Sequence, residues 1–173
     1  DTLDLSAVSS NLTFNLSARN VADTNIDVTY DANLENLVGG SGLDAISYVG
    51  NGASHSLTLT GLGSGDGFAG TATGLPGTFD NINAFEGGSG TDTLNVYGKA
   101  TVENAAFNGT SAHVSESTVY DAYGQNFENI YVFGGGGVDT AQMLGSAGND
   151  NFYVNKSNSY LRGNSNAFLN YVK

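Results

Sequence analysis

The chain has 173 residues and a formal net charge of -12, from 17 acids against five bases. The bases Arg19, Lys99, Lys156, Arg162 and Lys173 are scattered, whereas a nucleic acid or an anionic membrane surface demands clustered ones, so neither partner is expected. With no cysteine, disulfides, thiolate metal sites and cysteine nucleophiles are ruled out, and no run of about 18 apolar residues is available to cross a bilayer as a helix.

In chain order, apolar residues alternate with polar ones at Leu12, Phe14 and Leu16, at Ile26, Val28 and Tyr30, at Leu57 and Leu59, at Leu94 and Val96, and at Phe152 and Val154. Period two predicts short strands with one buried face. Glycine-rich or asparagine-rich breaks recur about every ten residues, and the i, i+3, i+4 spacing of a helix is almost absent, so little helix is predicted. Residues 61–77 show no clear period and read as a long irregular stretch. The chain opens at Asp1 rather than Met and closes on the strand-like Phe168-Leu169-Asn170-Tyr171-Val172, so it reads as a piece of a larger protein.

The chain repeats itself. Leu34-Glu35-Asn36-Leu37 precedes Gly39-Gly40-Ser41-Gly42-Leu43-Asp44, Phe79-Asp80-Asn81-Ile82 precedes Gly87-Gly88-Ser89-Gly90-Thr91-Asp92, and Phe127-Glu128-Asn129-Ile130 precedes Gly134-Gly135-Gly136-Gly137-Val138-Asp139. Asp44, Asp92 and Asp139 fall 48 and 47 residues apart, and Asp1-Thr2-Leu3 aligns with Asp92-Thr93-Leu94. Four units result, at about 1–43, 44–91, 92–138 and 139–173. Repetition at this period predicts one all-β domain, a parallel β-solenoid of β-helix or β-roll type whose equivalent strands stack in register, with a β-sandwich as the alternative. Each unit buries its inner face only against its neighbours. Neither end carries a cap, so copies of the chain or adjoining repeats are expected as partners.

The glycine turns match the nonapeptide G-G-x-G-x-D-x-U-x at residues 39–47 and 87–95; the copy at 134–139 is weaker, and Gly145-Ser146-Ala147-Gly148-Asn149-Asp150 is a fourth. They resemble the repeats-in-toxin calcium-binding repeats and, more loosely, the Gly/Asp-rich surface repeat proteins of bacteria. The resemblance implies calcium as cofactor, with Gly40, Gly42, Asp44, Gly88, Gly90, Asp92, Gly135, Gly137, Asp139, Gly148 and Asp150 as candidate ligands. That family's nonapeptides run in tandem, whereas most copies here stand a whole unit apart. The same residues also read as tight corners in which glycine meets the backbone geometry and aspartate caps N–H groups. Asn36, Asn81 and Asn129 are expected at equivalent corners, bonding up and down a ladder.

Composition, with its many Gly, Asn, Ser and Thr residues, points to an extracellular or bacterial cell-surface protein. The expected function is non-catalytic: a structural segment of a surface or matrix protein that self-assembles into a rod or fibre, stabilised or not by calcium. A rival is an adhesin module that offers a strand face or residues 61–77 to glycans or cells. A polysaccharide lyase or hydrolase ranks third, because no carboxylate pair or cation cluster stands out. His55 follows the parity of Leu57 and Leu59 and reads as a core or strand-end residue; His113 reads as an exposed strand residue. Tyr120, Tyr123, Tyr131, Tyr153, Tyr160 and Tyr171 read as core or contact residues, or as a sugar platform if they stand exposed in a row.

Overall fold

A computed structural model of the chain describes residues 1–98, 104–116, 120–135, 140–145, 149–154, 159–163 and 168–172. The chain is all-β, with no helix among these residues. In order it forms β1 (Thr2–Asp4), a three-strand meander of β2 (Thr13–Asn15), β3 (Asn20–Ala22) and β4 (Asp27–Thr29), then β5 (Asn36–Val38) and β6 (Ala45–Ser47). A second meander follows: β7 (Ser56–Leu62), β8 (Phe68–Ala72) and β9 (Leu75–Ile82). After β10 (Ala84–Glu86) and β11 (Thr93–Tyr97) comes a third, β12 (Asn104–Asn108), β13 (Ser111–Glu116) and β14 (Tyr120–Gln125). β15 (Asn129–Phe133) and β16 (Thr140–Leu144) lead to the last, β17 (Asn151–Val154), β18 (Ser159–Arg162) and β19 (Leu169–Val172).

These strands build two facing sheets, in the orders β1-β5-β9-β8-β7-β11-β15-β19-β18-β17 and β16-β12-β13-β14-β10-β6-β2-β3-β4. Successive segments alternate between the sheets, so the chain winds as a β-solenoid; strands of successive coils pair in parallel, and the antiparallel pairs all lie within the meanders. The antiparallel meanders were not foreseen. Each steps back across its own sheet before the chain crosses over again. Left-handed residues serve their reversals: Arg19 (φ 56) between β2 and β3, Gly74 (φ 87) between β8 and β9, and Gly109 (φ 59) between β12 and β13.

One unit is therefore two single strands and a meander, and successive units exchange sheets. β7 to β9 lie in the first sheet, β12 to β14 in the second and β17 to β19 in the first again. The units are related by a two-fold screw rather than by simple stacking. The same face returns after five strand positions, from β5 to β15 and from β6 to β16, which is about 24 Å at the usual strand spacing of about 4.8 Å.

The core lies between the sheets as in-register rows. In the first sheet Leu37, Phe79, Gly70, Leu59, Val96 and Val132 follow one another across six strands. In the second, Phe14, Ile46, Phe85, Gly124, Ala112 and Phe107 do the same. Glycine and alanine beside phenylalanine keep the layer thickness constant; a Cβ on Gly124 would come 2.5 Å from Leu94 Cδ2. Each fully buried Phe or Leu contributes roughly 1.5–3 kcal/mol.

Three expectations are corrected. Val28 and Phe152, placed on buried faces, are 47% and 63% exposed, because β4 and β17 are the outermost strands of their sheets among the described residues. Residues 61–77 are not irregular: they lie within the meander of β7 to β9, whose 63–67 loop is held where Ser64 N donates to Asp80 Oδ1 (2.9 Å) and Gly65 N to Asn81 Oδ1 (2.8 Å). The asparagine ladder does not form, because Leu37 pairs with Phe79 rather than Ile82, which leaves Asn81 beyond the ladder in a left-handed conformation (φ 57) while Asn36 sits within β5.

Candidate functional site

The two best-matched glycine turns form the same structure twice. Asp44 and Asp92 are fully buried. Asp44 Oδ1 accepts from Leu12 N (2.8 Å) and Oδ2 from Gly40 N (2.6 Å), while its own N–H donates to Asn83 Oδ1 (3.0 Å). Asp92 Oδ1 accepts from His55 N (2.8 Å) and Oδ2 from Gly88 N (2.8 Å), and its N–H donates to Glu128 Oε2 (2.7 Å). Around each node the backbone bonds match as well: Ser41 N donates to Val8 O and Ser89 N to Asn51 O, both at 3.0 Å. Each aspartate thus ties together three segments, the one entering the preceding meander, its own turn and the strand of the next coil.

Glycine is required at these corners by crowding. A Cβ on Gly40 would collide with the carbonyl oxygen of Val8, and one on Gly88 with that of Asn51. At Gly42 a Cβ would lie 2.5 Å from Ser10 O. The turn passes directly under the neighbouring coil, so the strands on either side can pair at normal spacing.

Calcium requires several oxygens with lone pairs converging on one point. Both carboxylates instead accept backbone N–H groups, the surroundings of an anion rather than a cation, so Asp44 and Asp92 do not fit the metal that the repeat resemblance implies. Burial is the largest influence on Asp44 and holds its carboxyl above the ordinary range, against the lowering effect of its bonds from Leu12 and Gly40. Among the described residues no three His, Asp or Glu side chains are grouped about a metal position. Gly135 is exposed and Asp150 half-buried; Gly137, Asp139 and Gly148 lie outside the described residues. A Cβ on Gly145 would collide with Asp150 Oδ2, the contact that Gly39 makes with Asp44 and Gly87 with Asp92.

Asn83 and Glu128 accept the aspartate N–H groups; Asn83 carries no signal of this in the sequence, and Glu128, which reads there as a solvent-facing acid flanking the third repeat block, is half-buried, both residues immediately preceding a strand after a meander. His55 is buried, its Nδ1 3.0 Å from Asp92 Oδ1 and its ring stacked on Tyr48 at 4.0 Å. The Tyr48 hydroxyl donates to Thr73 O (2.6 Å), and burial, reinforced by the Asp92 charge, raises its pKa. This trio fills a buried corner.

His113 is half-buried rather than exposed, stacked on Tyr123 at 4.3 Å with ring planes 4° apart. The pair borders a recess of about 460 Å³ across the outer face of β10, β14, β13 and β12. Ala84 and Ala106 flank the rings, and Glu86, Gln125, Ser111 and Asn108 line the opposite side.

The first sheet carries a longer aromatic row on its outer face. Tyr131, Tyr171, Tyr160 and Tyr153 are register partners on four adjacent strands, with ring centroids 5.8 Å apart for Tyr131 and Tyr171 and 5.1 Å for Tyr153 and Tyr160. Tyr97 and Phe133, stacked at 4.8 Å, adjoin it, with Phe133 5.9 Å from Tyr171. The side chain of Tyr120 lies outside the described residues. No family model matches the chain, and no curated protein or solved structure is similar to it at a significant level.

Proposed function

We propose that this chain is a non-catalytic structural segment of an extracellular or bacterial cell-surface protein, a length of stiff β-rod that extends by adding strands at its ends. The observation that carries the reading is the repeated aspartate node, which spends its buried carboxylates on backbone N–H groups of neighbouring coils. An aspartate so engaged holds the rod together and is closed to substrate.

The pairing pattern supports extension. At one end of the solenoid the outer edges of β1 and β4 have no partner among the described residues, and at the other end those of β17 and β16 have none. β17 runs in the same direction as β1, and β16 in the same direction as β4, because each meander restores the strand direction. A second copy, or an adjoining repeat, would therefore meet each end in the parallel sense that holds along the rod. Such a contact joins unlike surfaces and does not close, which gives a filament.

Electron microscopy and sedimentation of the purified chain test this. Filaments or a concentration-dependent ladder of oligomers are expected. Thr29→Pro in the outermost strand β4 should suppress them while the circular dichroism stays β-rich: the bonds of Tyr30 N to Arg19 O and Asp23 N to Ile26 O turn the Val28 N–H toward β3 and leave that of Thr29 on the free edge, where proline cannot donate to a new ladder. A wild-type chain that remains a monomer at all concentrations would sink the assembly reading.

A further inference from the structure

The outer face of the first sheet, from β7 to β17, is unlike the rest of the molecule. Its outward positions are Ser56 and Thr58, then Thr93, Asn95 and Tyr97, then Asn129, Tyr131 and Phe133, then Leu169 and Tyr171, then Tyr160 and Arg162, then Asn151 and Tyr153. None is acidic, in a chain with 17 acids. Arg162 lies on the same face as Tyr160, its guanidinium carbon 6.0 Å from the ring centroid. Charge follows the same division along the chain: residues 151–173 hold Lys156, Arg162 and Lys173 and no acid, whereas residues 1–150 hold every acid and only Arg19 and Lys99.

We infer that this aromatic, acid-free face binds a linear acidic polysaccharide laid across the strands along the tyrosine row. The row spans four strands, about 14 Å between its end positions at the usual strand spacing, and so offers several rings in line. A pyranose presents an apolar C–H face and a polar rim, which matches rings that are apolar across the face and carry hydroxyls at the edge. Asn95, Asn129 and Asn151 supply amides beside the rings. Arg162, with a planar guanidinium that can present two N–H groups side by side, suits a sugar carboxylate better than a neutral hydroxyl. With no acid among its outward positions and Arg162 upon it, the face lacks the like charge that would repel an acidic polymer, and that makes the charge of the ligand the discriminating feature. Under the screw relation, His113 and Tyr123 occupy the places of Tyr160 and Tyr171 one unit earlier, on the opposite side. The aromatic pair thus recurs one unit earlier, with Ala84 and Ala106 at the places of Tyr131 and Tyr153, and only the last unit extends it into a row of four.

The inference is independent of filament formation, since the face runs along the rod and not at its ends. Titration calorimetry with oligogalacturonate at low salt, with cello-oligosaccharide as the neutral comparison, reads it directly. Saturable binding of the acidic oligomer is expected, with weaker or no binding of the neutral one. The double variant Tyr160→Ala, Tyr171→Ala should lose about tenfold or more in affinity, and Arg162→Gln should weaken binding and flatten its salt dependence. If the alanine pair unfolds, Tyr160→Leu with Tyr171→Leu keeps the apolar volume and should still lose affinity. Absence of binding by the wild type, equal binding of the neutral oligomer, or unchanged affinity in the ring variants would overturn the inference. So would salt-sensitive self-association abolished by Arg162→Gln, which would assign the face to the acidic part of a second copy.

Discussion

Replacing Asp44 by alanine removes the acceptor for two buried N–H groups, those of Leu12 at 2.8 Å and Gly40 at 2.6 Å. Each orphaned donor costs roughly 1–3 kcal/mol. Losing a buried carboxylate also returns part of its desolvation cost, so the net loss expected is about 2–5 kcal/mol, a large share of the roughly 5–15 kcal/mol that holds a typical domain. Asp44→Asn keeps one acceptor but turns an amide NH2 toward the second donor, and about 1–3 kcal/mol is expected. The order of stability should be wild type, asparagine, alanine. Urea unfolding followed by circular dichroism at neutral pH measures it, run with chelator and again with calcium. Calcium should leave the wild-type midpoint unchanged through this residue. The reasoning is refuted if the asparagine variant is as stable as wild type at neutral pH. It is refuted equally if calcium raises the wild-type midpoint and Asp44→Asn abolishes the rise, because the carboxylate would then be a cation ligand.

Other outcomes follow from the same geometry. Because burial holds the Asp44 carboxyl above its ordinary range, the folded chain binds that proton more readily than the unfolded one; its contribution to stability should fall as pH rises from about 4 through the raised value. Asp44→Asn should flatten that part of the stability profile, and an unchanged slope would contradict the assignment. Gly88→Ala should cost about 1–3 kcal/mol, since its Cβ would meet Asn51 O across the coil; a neutral result in thermal unfolding would mean that the corner yields. Asn170 is fully buried between Ile130 and Leu161, its side-chain N and O both without a partner among the described residues. Asn170→Leu should raise the unfolding midpoint, by roughly 1–3 kcal/mol in stability, and a lowered midpoint would show that the amide is satisfied in solution.

The strands around Leu12, Phe14, Leu57, Leu59, Leu94 and Val96 were legible because inward alternation is local and survives any topology. The corner aspartates were legible as well, since a Gly-Gly-x-Gly-x-Asp string has few physical uses. Which use applies was not: a carboxylate bound by N–H groups and one bound to a cation share one sequence, and only the position of Leu12 N and His55 N separates them. The meanders escaped notice because a period-two pattern marks a strand without giving the sense in which it pairs, and because register shifts between Leu59 and Gly61 and between Phe68 and Gly70 break the alternation within residues 61–77. The misalignment of Asn81 came from unequal strand lengths, which shift a sequence match without shifting the glycine turn. The tyrosine row is a tertiary fact. Tyr131, Tyr153, Tyr160 and Tyr171 become neighbours only when four strands come into register.

The exchange of sheets between successive units carries a geometric consequence for whatever the rod displays. A side-chain pattern written into every unit emerges alternately on opposite sides, and the next copy on the same side stands about 24 Å further along. A polymer running along one side would meet only every second unit, while two polymers on opposite sides would share the units equally. Extending the array would therefore create a cross-linker with two independent rows of sites, each gaining avidity with length, without any change in the sequence of a single unit.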